Sequence, residues 1–91
     1  MVSDEKMQEI LMPLCDSKFT YFACRRMIIT WDPLIQDLFL NYIKTGVYPE
    51  NKIKNWNLEE ILGYSKYNIY QSCYHLNKIA TNPDFIRQLK N

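Results

Sequence analysis

Apolar residues recur at every third or fourth position along most of this 91-residue chain, and N-cap residues, prolines and glycines mark the ends of the repeats. The clearest case begins at Asp32, an N-cap residue followed by Pro33 at the first helical position, where a missing N–H costs nothing. Gly46, which tolerates left-handed backbone, ends it. Between them the helical stripe consists of Leu34, Ile35, Leu38, Phe39, Tyr42 and Ile43. This spacing predicts an α-helix.

Similar signals predict two helices before it. Ser3 or Asp4 caps the first, and Pro13 is expected to terminate it. The second follows the cap at Asp16–Ser17 and runs from Lys18 to Thr30. The predicted inner faces are Met7, Ile10, Leu11 and Leu14 on the first helix, and Phe19, Phe22, Ala23 and Met27 on the second.

The remainder of the chain follows the same scheme after a loop from Val47 to Asn55. Asn57 is expected to cap a short helix, Leu58 to Leu62, which closes at Gly63. Ser65 is expected to cap a long helix reaching about Ala80. Its predicted inner stripe is Ile69, Cys73, Leu76 and Ile79 or Ala80, widened by Tyr70 and Tyr74, and a last helix after Asn82–Pro83 docks through Phe85, Ile86 and Leu89.

These segments predict an all-α fold, a compact bundle of five or six short helices in a single domain, 1–91. A hydrophobic content of 47% and an aromatic content of 14% argue against disorder. Only two glycines are present, which argues against a turn-rich β-sandwich or barrel.

Charge and cysteine usage restrict partners and location. A net charge of +1 creates no large field toward nucleic acid or anionic lipid, and no apolar run suggests a membrane span or signal peptide. The odd, scattered Cys15, Cys24 and Cys73 indicate a reducing compartment, so we expect an intracellular protein of the nucleus or cytoplasm. The thiols are expected to be buried, and a Cys15–Cys24 disulfide is conceivable.

Catalytic apparatus is not visible in the sequence. The single histidine, His75, lies two residues after Cys73, so the two side chains do not face each other on a helix. Glu59 and Glu60 are adjacent and diverge, which disfavours a paired acid/base site. No phosphate loop, nucleophile elbow or zinc spacing occurs. We therefore predict a non-enzymatic protein without catalytic residues, cofactor or metal, and with His75 at the surface or half-buried.

One functional pattern spans the short helix ending at Gly63 and the helix expected after Ser65. A short helix, a tight turn and a second helix form the arrangement of a helix-turn-helix. In that interpretation the exposed start of a recognition helix presents Lys66, Tyr67, Asn68 and Gln71 to DNA. Glu59 fits poorly, because that position normally carries a small residue where the two helices approach.

The same run, from Trp56 to Leu76, resembles the last two helices of the second cyclin box. In that family a Trp precedes a short helix ending in Gly-Tyr-Thr or Gly-Tyr-Ser, and a long helix follows. The matching residues are Trp56, Gly63, Tyr64, Ser65, Ile69 and Leu76. Cys73 falls one place later than the family pattern.

The cyclin resemblance covers about a third of the chain. Residues 17–24 loosely resemble the upstream Pro-Ser-x-x-Ala-x-Ala helix, without its proline, and residues 31–55 would be an insertion. The resemblance implies a helical, cyclin-box-like bundle. The kinase-contacting helices of cyclins belong to the first box, which has no counterpart here.

Three functions are therefore expected, in this order. The first is a cyclin-like regulatory or protein-interaction domain that binds a kinase or a transcription component. The second is a helix-turn-helix DNA-binding protein. The third is a small inhibitor that binds one host protein through an aromatic surface, since tyrosine is enriched at interfaces and the chain has seven.

Overall fold

The regular elements of the chain are helices. A computed structural model describes residues 2–50, 58–63 and 68–90, and within these ranges no strand occurs. The elements are α1 (Asp4–Leu11), a 3₁₀ turn (Met12–Leu14), α2 (Lys18–Ile28), α3 (Pro33–Thr45), α4 (Leu58–Gly63), α5 (Ile69–Ala80) and α6 (Pro83–Lys90). The predicted all-α bundle is confirmed. None of these helices combines the length and apolarity needed to cross a bilayer.

Most helix ends lie where cap residues predict them. Ser3, Ser17 and Asp32 each accept a backbone N–H from the first turn of the helix that follows, and Asn82 does the same for α6. Gly46 ends α3 with a φ of 74°, the left-handed conformation that glycine adopts without a Cβ penalty.

The start of α5 differs from the prediction. This helix begins at Ile69, and its N-cap is Asn68, whose Oδ1 accepts the backbone N–H groups of Tyr70 at 2.9 Å and Gln71 at 3.4 Å. The predicted cap, Ser65, lies outside the described residues. Asparagine is as good an N-cap as serine, and the prediction did not consider it at this position.

The buried face of α2 also differs from the prediction. The residues that pack inward are Tyr21, Cys24 and Ile28, whereas Phe19 and Phe22 are exposed. The cause is that α2 carries apolar side chains on nearly all sides, so helical spacing alone does not identify one inner stripe.

Several other predicted inner residues are at the surface. The exposed ones are Leu14, Leu34, Tyr70 and Tyr74. Conversely, Leu40 was not predicted as an inner residue but is buried. The remaining predicted core positions of α1, α3, α5 and α6 are buried or partly buried against the core.

The most extensive packing is between α2 and α5. α1 packs on α3, and both α4 and α6 pack on α5. α5 is therefore the central helix, with Ile69, Cys73, Leu76 and Ala80 buried along its inner side.

The side chains of Trp31 and Gln36 stabilise the turn between α2 and α3 through hydrogen bonds. The indole Nε1 of Trp31 donates to Asn77 Oδ1 of α5 at 2.8 Å, and its ring meets Phe39 edge-on at 5.6 Å. The buried Gln36 donates from Nε2 to the carbonyls of Ile28 at 2.9 Å and Trp31 at 3.3 Å. Residues 31–55, an insertion in the cyclin interpretation, thus supply core helix α3.

Candidate functional site

The cyclin-like signature residues divide into two groups. Trp56, Tyr64 and Ser65 lie outside the described residues, and Gly63 is the last residue of α4. Ile69 and Leu76 are buried on the inner side of α5. These two side chains hold the bundle together and are not available to a partner.

The predicted DNA contacts lie around the start of α5. Lys66 and Tyr67 fall outside the described residues, Asn68 is the N-cap, and Gln71 is exposed in the first turn. α4 ends at Gly63 and α5 begins at Ile69. Asn68 Oδ1 is engaged with backbone N–H groups.

The three cysteines meet inside the bundle as free thiols. Cys24 of α2 lies beside Cys15 and Cys73, and the neighbouring Cys73 thiol lowers the pKa of Cys24. Burial, with Cys24 close by, raises the pKa of Cys15 to about 11, and the neighbouring Cys24 thiol together with burial raises the pKa of Cys73. Protonated thiols are weak nucleophiles, and the Cys24 thiol is fully buried. The cluster therefore serves packing: Cys24 and Cys73 are buried as predicted, whereas Cys15 is half-buried.

Other chemistry-bearing side chains are dispersed. His75 is half-buried, as predicted, and contacts the Tyr74 ring edge-on at 5.8 Å. Within residues 2–50, 58–63 and 68–90, no three His, Cys, Asp or Glu side chains are placed to hold a metal ion.

An apolar groove of about 600 Å³ lies between α3, the segment after it and α6. Its walls include Leu34, Leu38, Val47 and Leu89. The hydroxyl of Thr45, one of its few polar groups, is already engaged, because it donates to the carbonyl of Asn41 at 2.8 Å and accepts the N–H of Val47. The groove is also lined by Asn41, Tyr42 and Tyr48, and the rings of Tyr42 and Tyr48 stack on each other with centroids 4.9 Å apart.

Two rows of exposed aromatic side chains remain. The first is on α5, where the rings of Tyr70 and Tyr74 stack with centroids 6.4 Å apart and Lys78 Nζ lies 4.6 Å from the Tyr74 centroid. Residues four apart are neighbours on a helix, so the side chains of this row pack against one another. Tyrosine also keeps a hydroxyl for water.

The second row is on α2, and it is less easily explained. Phe19 is 87% exposed and Phe22 is 53% exposed. Their spacing places them on one side of the helix with Arg26 and the cap residue Ile29, which is also exposed. We call Phe19, Phe22, Arg26 and Ile29 the outer face of α2.

The size of this apolar surface is functionally relevant. A phenylalanine presents roughly 200 Å², so the two rings leave on the order of 300 Å² of aromatic surface in water. That is close to the size of the largest apolar patch on a typical monomer, which is often functional. Unlike tyrosine, phenylalanine has no polar side-chain atom that can hydrogen-bond with water.

Phe22 is held in place from below. The ring of the buried Tyr21 lies 5.5 Å from the Phe22 ring at a tilt of 59°. A partner would therefore meet an ordered aromatic side chain, which lowers the conformational entropy lost on binding.

Phe19 and Phe22 were predicted to pack inward, and one signal could have corrected that prediction. Arg26 lies on the same side of the helix as Phe19 and Phe22, whereas the residues three and four positions from Cys24 along α2 carry no charge. A charged side chain in the middle of a stripe marks it as the solvent side.

No protein-family model, curated protein or solved structure matches this chain.

Proposed function

We propose that this chain is a non-enzymatic, cyclin-like regulatory domain that binds another protein through the outer face of α2. The cyclin resemblance implies a kinase or a transcription component as the class of partner. The observation that carries the proposal is the pair Phe19 and Phe22, exposed on a helix whose opposite side is packed on α5.

The composition of the face supports a protein partner. Aromatic residues and arginine are enriched in protein interfaces, and aromatic and arginine side chains dominate their binding energy. The outer face of α2 combines Phe19, Phe22 and Arg26 within about two helical turns. Ile29 extends the apolar area toward the end of the helix.

The rigidity of the face is a second support. α2 is fixed by its packing against α5, and Arg25 of α2 is linked to Asp4 of α1 by an ion pair of 2.8 Å. A surface carried by a packed helix binds with less reorganisation than a loop.

The test is affinity capture from the native host with the tagged chain. We expect one stoichiometric partner, which the double variant Phe19→Gln, Phe22→Gln loses because its aromatic anchors are gone. Both positions are exposed, so the variant keeps its helical circular dichroism. The matched control, Tyr70→Gln with Tyr74→Gln, removes the other aromatic row and is expected to retain the partner.

Two results would contradict the proposal. One is a partner that the Phe19→Gln, Phe22→Gln variant still captures in full. The other is the absence of any stoichiometric partner for the parent chain under conditions in which its helical content is intact.

A further inference from the structure

We infer that the partner presents an acidic, amphipathic helix to the outer face of α2, an inference that rests on the proposed function. The face consists of Phe19, Phe22, Arg26 and Ile29.

The shape is a narrow ridge. Positions that advance by three, four and three residues along α2 form a stripe parallel to the helix axis, and ten residues of rise extend it over about 15 Å. A second helix packed alongside places its own residues at the same spacing between these side chains. An apolar stripe of this kind therefore fits a helix with anchors at the matching positions.

All the charged side chains of α2 are basic. α2 contains Lys18, Arg25 and Arg26 and no carboxylate. Arg25 is paired with Asp4. Among the described residues, no ion pair engages Lys18 or Arg26. These two cations lie at the start and near the end of the exposed stripe, where carboxylates on a partner helix would meet them.

A second copy of this chain is disfavoured by the same charges. Two outer faces packed against each other would bring two Lys18 and two Arg26 side chains into one interface without a carboxylate from either helix. Like charges brought together oppose association. Carboxylates on an acidic partner helix would instead attract Lys18 and Arg26.

An anionic membrane is disfavoured by the number of cations. Stable electrostatic attachment to lipid uses clusters of roughly four to eight basic residues, whereas this face has Arg26 and is preceded by Lys18. The chain as a whole has a net charge of only +1.

The experiment uses two designed helical peptides as probes. Both carry leucines spaced by three, four and three residues, and they differ only in flanking glutamates or flanking lysines. Titration of the isotope-labelled chain, followed by amide chemical shifts, is expected to show saturable binding of the acidic peptide. The shifts should map to α2, and the lysine peptide should bind about tenfold more weakly or not at all.

Charge reversal in the protein tests the assignment. Lys18→Glu with Arg26→Glu is expected to weaken the acidic peptide about tenfold and to strengthen the lysine peptide. The control is Lys44→Glu with Arg87→Glu, which makes the same change in net charge on α3 and α6. That variant should leave the preference for the acidic peptide intact.

Several outcomes overturn the inference. These are equal binding of the two peptides, no binding of either at millimolar concentration, concentration-dependent dimerisation lost in Phe19→Gln, and binding to phosphatidylserine vesicles but to neither peptide. If the captured native partner depends on Phe19 and Phe22 but not on the charge reversal, the proposed function stands and the acidic partner is wrong.

Discussion

Single side chains join parts of the chain that are far apart in sequence. Gln36 is buried and bridges the end of α2 to α3, while its Oε1 accepts the N–H of Val2 at 3.4 Å. Asp32 caps α3 and also receives Lys90 Nζ from the end of α6 at 3.1 Å. These residues show how a small bundle uses polar groups as well as apolar area for stability.

The Gln36 contacts predict a large effect from a conservative change. Gln36→Leu keeps the volume but removes a donor to two buried carbonyls, so the free energy of unfolding should fall by about 1–3 kcal/mol. The matched control is Gln71→Leu on the exposed side of α5, expected to change stability by no more than about 0.5 kcal/mol. Urea unfolding of both variants measures this, and equal midpoints would contradict the account.

Asp32 predicts a specific acid sensitivity. The N–H of Leu34 and the ammonium group of Lys90 lower the pKa of this carboxylate below its ordinary value. A lowered folded-state pKa stabilises the protein above the unfolded pKa of about 4, and this contribution is lost as pH falls through the folded value. Asp32→Asn keeps the cap but not the charge, so its deficit in stability at neutral pH should disappear on acidification.

The Asp32 prediction has an internal control. Asp32→Ala also removes the cap and should retain a deficit of about 1 kcal/mol at low pH. Stability curves for Asp32→Asn and the parent chain that remain parallel down to about pH 2 would show that the charge has no role.

At the scale of the elements, helix ends were more predictable than helix faces. Ser17, Asp32 and Gly46 act locally, through atoms within one turn, so the sequence alone places them. The inner face of α2 depends on which side meets α5, and that contact joins Cys24 to a residue 49 positions later, Cys73. Hydrophobic spacing contains no information about such a partner when apolar residues surround the helix.

The start of α5 and the candidate site illustrate the same limit. Ser65 was predicted as the cap and Asn68 is the cap in the structure, and both residue types are good caps. Phe19 and Phe22, on the outer face of α2, were predicted to lie in the core because they are apolar. Its residues were visible in the sequence, but their exposure follows only from the three-dimensional packing of α2.

The orientation of α2 can be tested by two alanine substitutions on opposite sides. Ile28→Ala empties a buried site and should cost about 2–5 kcal/mol. Phe19→Ala removes a larger side chain but should change stability by no more than about 0.5 kcal/mol, because the ring is in water. Thermal or urea unfolding gives both values, and a larger loss for Phe19→Ala would mean that the helix faces the other way.

At the scale of the whole molecule, charge distribution separates the two leading functions. The net charge of +1 gives no general attraction to phosphates, whereas α2 concentrates Lys18 and Arg26 beside two phenylalanines. The molecule is thus better suited to one complementary protein surface than to a nucleic acid.

The DNA-binding alternative makes a prediction that differs from ours. A helix-turn-helix protein would shift duplex DNA in a salt-dependent manner, and Lys66→Ala or Gln71→Ala would weaken that shift. We expect no such shift at physiological salt. A specific complex that these two substitutions disrupt would favour DNA binding over the proposed function.

Site-specific photocrosslinking shows whether the partner binds at the outer face of α2. A photoreactive phenylalanine analogue at position 19 is introduced in the native host, with the same analogue at position 70 of α5 for comparison. We expect one crosslinked protein from position 19 and none from position 70. A crosslink from position 70 alone, or from neither position, would contradict it.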